Sequence, residues 1–415
     1  MAQGKRVLFV SYGGGHVSMV VPAALACRRL GIEDVHVLAL TSAAPAVRAA
    51  GLRTWQFRDF VTTDDAQALA WGDELANTLE PGGTVEPAET RAYLGLSFAE
   101  MVQDLGEAAA RERYRLFGRH QFLPVRALER VLHRLAPDVV VITNSPRAER
   151  AAGIAAGRLG IPALCINSMF AIDEIAWLGE PGFCDRLCVL NEDVRQRFIA
   201  AGRAPHDVVV TGNPSFDTLF APELREAGLA LRARLPEGTR HVVLWASQPE
   251  YVSHPTAPGL VGDPALPLHI LREMLAWAQA GVGRHLIVRP HPNERIEDPG
   301  LACATLVTVR DCDVAVTLHA CDIVSTMTST VALQAHALRL PVLQVRGSIF
   351  DHSMPLAAMG IATECAVPAV VPTLERMVAT PGLLRALGPS PGGGAADAVA
   401  AQVLRLLAGQ EAASC

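Results

Sequence analysis

A chain of 415 residues is too long for one ordinary hydrophobic core and suits two domains of about 200 residues each. Half of the residues are apolar and 19% are charged, which leaves ample material for buried sheets. The formal net charge of −6, with no long run of Lys or Arg, argues against nucleic acid as the main partner, because phosphate contacts need clustered positive charge.

No apolar stretch reaches the roughly 18–20 residues that a membrane span requires. The opening "MAQGKR" runs straight into a short apolar strand without a cleavage-site pattern, so no signal peptide is expected. The nine cysteines are odd in number, lack repeated CxxC spacing and sit mostly in apolar runs such as "ALCIN" and "RLCVL". They read as reduced, buried thiols of a cytoplasmic protein, with no metal site.

In chain order, short runs rich in Val, Ile and Leu predict strands at 6–12, 34–40, 138–143, 162–167, 186–190 and 207–212. They lack polar alternation, as expected of parallel strands covered on both faces. Helical patterns fall between them at 18–30, 122–135 and 147–159. Residues 60–115 mix acids, glycines and prolines and read as a mobile insert. After a connection near 214–238 the same grammar restarts. Strands are expected at 241–247, 285–290, 304–309, 321–326 and 341–345, with helices at 265–281, 328–338 and 367–379. "PSPGGG" (389–394) then breaks the chain before a last helix, 395–407, placed to cross back onto the first domain. The expected class is α/β, with two Rossmann-like domains facing across a cleft. Residues 1–220 with 395–415 form the first domain and 221–394 the second.

Polar residues gather where strands end. In "SYGGGH", Gly13, Gly14 and Gly15 allow a tight turn and let main-chain N–H groups approach a ligand at the start of a helix. The spacing is not GxGxxG, and Glu33 and Asp34 sit in a turn, so NAD is not favoured. His16 either caps this turn or acts as a base or hydroxyl contact. In "LIVRPHPNE", Pro290 and Pro292 stiffen a loop that presents Arg289, His291 and Asn293 to phosphate or ribose oxygens. In "DIVSTMTSTVALQAHAL", Ser325, Thr326, Thr328, Ser329 and Thr330 lead into a helix. There they form a diphosphate cradle or simply cap the helix. Gln334 lies on that helix within reach of a ribose hydroxyl. Gly212, Asn213 and Pro214 suit a hinge, and Ser247, Gln248 and Glu250 follow the first strand of the second domain. Asp173 and Glu174, in "MFAIDE", are rivals to His16 as the base.

Taken together, "SYGGGH", "TGNP", "RPHPNE" and "DIVSTMTSTVALQAHALRLPVLQV" resemble GT-B glycosyltransferases, the nearest being bacterial enzymes of surface-polysaccharide and lipid-linked sugar synthesis. They are also similar to UDP-N-acetylglucosamine 2-epimerases, which share the fold, and to glycerophosphate transferases of wall teichoic acid synthesis. The resemblance covers residues 5–20, 137–219 and 240–410. It implies a metal-independent, cofactor-free transfer from a nucleotide-sugar donor in the second domain to a glycan, lipid-linked or small-molecule acceptor in the first. His291 matches the histidine of the His-Pro motif near the donor phosphate. Ser329 and Thr330 match the hydroxyls of the phosphate-binding helix start, and His16 matches the histidine after the glycine loop. Gln334 stands where many UDP-sugar enzymes carry a glutamate for the ribose.

The donor set is therefore Gly14, Gly15, Asn213, Ser247, Gln248, Arg289, His291, Thr328, Ser329, Thr330 and Gln334. The catalytic set is His16, Asp173 and Glu174. UDP is the first choice of nucleotide. CMP is the second, because the His-Pro and Ser/Thr pair also occurs in bacterial sialyltransferases, whose acidic D/E-D/E-G motif is not visible here. The alternatives are a 2-epimerase, whose Arg and Glu after the first strand are missing, and a glycerophosphate transferase with a CDP donor. A non-catalytic nucleotide-binding protein is the remaining class, and no GxSxG elbow supports a hydrolase. The arginines, aromatics and leucines of 110–134 read as a solvated amphipathic helix or as a peripheral contact with the inner face of a membrane.

Overall fold

The computed structural model describes residues 4–79, 85–168, 170–172, 174–254, 259–292, 294–380 and 393–413. The chain divides into two compact units, Met1–Asp217 with Gly394–Cys415, and Thr218–Gly393.

The first unit opens with β1 (Arg6–Ser11), α1 (Gly15–Arg29), β2 (Asp34–Ala39), α2 (Ala44–Ala49) and β3 (Arg53–Trp55). Four helices follow: α3 (Ala66–Ala76), α4 (Pro87–Leu105), α5 (Glu107–Phe117) and α6 (Val125–Leu135). Strand and helix then alternate through β4 (Val139–Thr143), α7 (Ala148–Arg158), β5 (Ala163–Ile166), α8 (Ile175–Leu178), β6 (Arg186–Val189), α9 (Glu192–Ala200) and β7 (Val208–Val210). The second unit begins with α10 (Pro222–Ala233), β8 (His241–Ala246), α11 (Leu266–Gln279), β9 (Arg284–Arg289) and β10 (Thr305–Leu306). It continues with α12 (Val314–Ala320), β11 (Ile323–Thr326), α13 (Val331–Ala337), β12 (Val342–Arg346), β13 (Thr363–Ala366) and α14 (Val370–Ala379). The last helix, α15 (Ala395–Ala413), belongs to the first unit.

Among the described residues, the named strands all pair in parallel. The sheets run β3-β2-β1-β4-β5-β6-β7 and β10-β9-β8-β11-β12-β13. Both are doubly wound. The chain steps outward from the first strand on one side and then crosses to the other. Successive loops therefore diverge between β1 and β4 and between β8 and β11, the switch points where open α/β sheets bind ligands. Helices cover both faces, which is why β4 is buried along its whole length.

Helix α15 returns to pack on α1, where Val399, Ala400, Val403 and Leu407 join Val20, Ala23, Ala24 and Cys27 in one core. Its start is held by the Asp217 carboxylate, which accepts the N–H groups of Gly394 (3.0 Å), Ala395 (3.1 Å) and Ala396 (2.8 Å). Residues 389–392 of the preceding proline- and glycine-rich stretch lie outside the described residues.

Three expectations change. Among the described residues, 66–76 and 87–117 are almost wholly helical, not a loose insert; residues 80–84 lie outside the description. Helices α3 and α4 cross so closely that a Cβ on Gly72 would lie 2.1 Å from the Arg91 carbonyl oxygen. One on Gly95 would lie 2.2 Å from that of Ala68. The connection near 214–238 is also helical, with α10 packed on α12 around Gly228 and His319. The edge strands β3 and β13 were not expected, being short and largely polar.

The segment 110–134 is two helices, and the apolar face of α6 (Val125, Leu128, Val131, Leu132, Leu135) is buried in the unit, not offered to lipid. Its arginines pair locally, Arg111 with Glu74 and Glu107, Arg126 with Glu100 and Asp104, and Arg130 with Asp65. Among the described residues no helix is long and apolar enough to cross a membrane. The eight described cysteines are free, and Cys27, Cys165, Cys184, Cys188 and Cys321 are buried.

Candidate functional site

The loop between β1 and α1 reaches the first switch point. Gly14 holds φ +66° and ψ −137°, a combination that only glycine adopts without strain. Gly13 has a different constraint, since a Cβ there would lie 1.9 Å from Ser42 Oγ in the turn after β2. A Cβ on Gly14 or Gly15 would meet nothing within 4 Å. The neighbouring loop, and not a ligand, accounts for Gly13, while Gly14 and Gly15 are exposed beside His16.

His16 Nδ1 lies 2.8 Å from Thr143 Oγ1 at the end of β4. The Thr143 hydroxyl is 3.4 Å from Glu149 Oε1 in the first turn of α7, and the same oxygen accepts the Tyr12 N–H at 2.7 Å. Burial pushes the His16 imidazole down to about 4, with repulsion from Arg147 adding to it, so the ring is neutral at neutral pH. Burial pushes the Glu149 carboxyl the other way, up to about 7. The Arg147 guanidinium stands 4.5 Å over the Tyr12 ring, and the Tyr12 hydroxyl bonds to that of Tyr93 on α4. The next residue after Thr143 holds Glu174: Asn144 Nδ2 donates to Glu174 Oε1 at 2.8 Å, while Asn144 Oδ1 accepts from Ser168 Oγ at 3.0 Å. Consecutive residues at the end of β4 thus hold two of the three candidate bases. The third, Asp173, lies outside the described residues.

The second switch point is bridged in the same manner. Gln248, just after β8, clasps Thr328, just after β11. Its Nε2 donates to Thr328 Oγ1 (2.7 Å) and its Oε1 accepts the Thr328 N–H (3.2 Å). Thr326 Oγ1 donates to the Ala246 carbonyl at 3.0 Å, and Ser329 Oγ accepts the Val331 N–H at 3.3 Å. Thr330 is exposed and Gln334 half-buried on α13. Ser247 Oγ donates to Glu294 Oε1 (2.8 Å), and Glu294 Oε2 accepts the His291 N–H (3.2 Å). His291 is therefore fixed beside Ser247 by a carboxylate, while Asn293 lies outside the described residues. Glu294 also lines a cavity of about 390 Å³ with Pro249, Pro264, Pro267, Leu268 and Ile296, within the size range of small-molecule pockets.

Two members of the expected donor set, Arg289 and Asn213, and also Glu250, make contacts within the protein. Arg289 is 7% exposed and donates to the carbonyls of Cys312 (2.9 Å) and Thr308 (3.4 Å). Asn213 Oδ1 accepts the N–H and hydroxyl of Ser215 at 2.9 and 2.7 Å and so closes a turn. Glu250 is buried against Ser348 Oγ and the Ile349 N–H. Thr143, Asn144, Glu149 and Glu294 escaped the sequence reading. The one signal for Glu149 was a lone acid in an alanine-rich helix whose neighbours are buried. Among the described residues, no group of three or more His, Cys, Asp or Glu side chains is placed to hold a metal ion.

No protein-family model matches the chain, and no curated protein matches it. Solved structures do. UDP-GlcNAc 2-epimerase from Neisseria meningitidis, bound to UDP-GlcNAc, is 13% identical, with 96% of this chain and 100% of that one covered at a TM-score of 0.57. The Rickettsia bellii UDP-N-acetylglucosamine 2-epimerase is 14% identical over 98% and 96%, at 0.58. MurG from Acinetobacter baumannii is 16% identical over 97% and 99%, at 0.54. At these identities the likeness establishes the fold. The chain is a two-unit α/β protein of the GT-B fold, with the architecture that these epimerases and MurG share.

Proposed function

We propose that this chain is a nucleotide-sugar enzyme that transfers the sugar to an acceptor hydroxyl. In this reading the second unit binds the donor, UDP before CMP, and the first unit binds a glycan, lipid-linked or small-molecule acceptor. The observation that carries it is the state of His16. A neutral imidazole held at Nδ1 by Thr143, at the switch point of its sheet, suits a general base. Glu174, held by Asn144, is the second candidate for that role. The Thr328 and Gln248 clasp, Ser329, Thr330 and His291 supply hydroxyl, amide and imidazole groups for the charge that develops on a departing diphosphate, a task that such donors perform without a metal. Solved neighbours bound to UDP-GlcNAc or UDP favour a uridine donor.

A second reading, epimerisation of a UDP-sugar, has its own support. Several of the similar solved structures bear that name, and two carboxyl groups are held at the end of β4, Glu149 beside Thr143 and Glu174 beside Asn144.

The test is to titrate the protein with UDP, CMP and CDP, then to incubate it with the matching sugar nucleotide without acceptor. Slow release of free nucleotide and sugar supports transfer, whereas interconversion of two sugar nucleotides supports the epimerase. Failure to bind any of the three nucleotides overturns both. On the transfer reading, His16→Ala lowers turnover by about 10²–10⁴-fold with nucleotide affinity nearly unchanged, and a variant with near-normal kcat removes His16 from the role.

A further inference from the structure

We propose that the proton His16 removes ends on Glu149, carried through the Thr143 hydroxyl; this rests on the reading of His16 as the base. The three groups come from separate elements, the start of α1, the end of β4 and the first turn of α7, and meet in one chain. The links are 2.8 Å from His16 Nδ1 to Thr143 Oγ1 and 3.4 Å from there to Glu149 Oε1. The second link is long for an O–H···O bond and must shorten by about half an ångström for transfer. Glu149 Oε1 is held in place by the Tyr12 N–H. Its other oxygen, Oε2, is buried without a formed hydrogen bond, although Glu149 is fully enclosed, and the neighbouring Ser145 hydroxyl is likewise left without one. A carboxyl serving only as a hydrogen-bond acceptor gains nothing from a second buried oxygen that is costly to leave bare. A carboxyl that takes up a proton relieves that cost.

The bonding allows one direction of transfer. With the Thr143 O–H donating to Glu149, the Thr143 oxygen accepts the Nδ1–H of His16, and Nε2 carries the lone pair. When an acceptor O–H bond breaks, its electron pair forms the new bond to the sugar as the sugar–phosphate bond breaks and its electron pair leaves on the nucleotide phosphate. The acceptor's proton binds Nε2. The Nδ1 proton moves to Thr143, and the Thr143 proton moves to Glu149. The imidazole ends neutral, the carboxylate ends as a carboxylic acid, and no charge is left on His16. The reverse shift, with Nε2–H released to water, resets the chain.

The relative basicities agree. His16, held down to about 4, is a poor place to leave a proton at neutral pH, whereas Glu149, pushed up to about 7, is a better one. The titratable and charged groups facing Glu149 are Tyr12, Tyr93, His16 and Arg147. Burial raises both tyrosines, so Arg147 is the charged one among them at neutral pH.

The experiment reads the His16 ring directly, in full-length, ligand-free protein. Imidazole ¹⁵N resonances, assigned with His16→Gln, are followed from pH 5 to 9 in the wild type, Glu149→Gln, Thr143→Val and Thr143→Ser. The His16 signals of a still-neutral ring are expected to step with a midpoint near pH 7. The step is lost in Glu149→Gln and Thr143→Val and kept in Thr143→Ser. A step that survives Glu149→Gln, or none in the wild type, overturns the proposal. With any sugar nucleotide the enzyme turns over, the acid limb of kcat near pH 7 should vanish in Glu149→Gln along with an approximately 10²-fold loss of rate. If no sugar nucleotide is turned over while the step depends on Glu149, the functional reading falls and the proton chain stands. If turnover is normal and the step ignores Glu149, the proton chain alone falls.

Discussion

Glu149 and His16 are displaced from their ordinary pKa values in opposite directions by the same cause, burial, and this has a thermodynamic consequence independent of substrate. Between about pH 4.5 and 7 the folded protein holds a proton on Glu149 that the unfolded chain has released. Stability from this group therefore falls as pH rises through that window. His16 acts the other way: the unfolded chain binds a proton between about 6.5 and 4 that the folded ring refuses, so stability is lost as pH falls there. Gln is the isostere of the protonated carboxyl. Glu149→Gln is expected to match the wild type in denaturant unfolding at pH 5 and to exceed it at pH 8, by at most ~3 kcal/mol. A variant less stable than the wild type at both pH values would show that the carboxylate is well accommodated as an ion.

At the scale of elements, glycine carries two meanings that only packing separates. Gly72 and Gly95 lie inside α3 and α4 with the Arg91 and Ala68 carbonyls in the space a methyl would need, whereas Gly15 opens α1 onto empty space. Gly72→Ala or Gly95→Ala must push the helices apart and should cost about 1–3 kcal/mol. Gly15→Ala should change stability by less than about 0.5 kcal/mol or raise it slightly. Urea unfolding of the three variants checks the contrast, and equal effects would remove the crossing as its cause. The same ambiguity explains what could be read in advance. Strands such as β1, β4, β8 and β11 were legible because burial on both faces writes an unbroken apolar run. The 60–115 region was not, because its glycines look like loop signals until the helix facing them is known. At the site, the strand-end residues His16, Ser247, His291 and Thr328 stood out by position. Their partners Thr143, Glu149 and Glu294 did not, since 127 residues separate His16 from Thr143 and only the strand order brings them together.

For the whole molecule, the chain order places the last helix in the first unit, so the two cores are closed by different means. The first depends on α15 covering α1 and on the Asp217 carboxylate holding three N–H groups at the start of that helix. The second has its own core, built around Trp245, Trp277, Leu286 and Val288. Units with separate cores of this size are expected to unfold as separate cooperative transitions. Asp217→Ala removes a capping acceptor that stabilises by about 1–2 kcal/mol, and should lower one calorimetric transition. Saturating UDP should raise the other, by about 2.7 kcal/mol at 100 times Kd, because the proposed donor groups Ser247, Gln248, Thr328 and Ser329 all belong to the second unit. The two perturbations should therefore act on different transitions and add in the UDP-bound variant. If UDP instead raises the transition that Asp217→Ala lowers, the nucleotide belongs to the glycine-loop unit, and the donor and acceptor assignments exchange places.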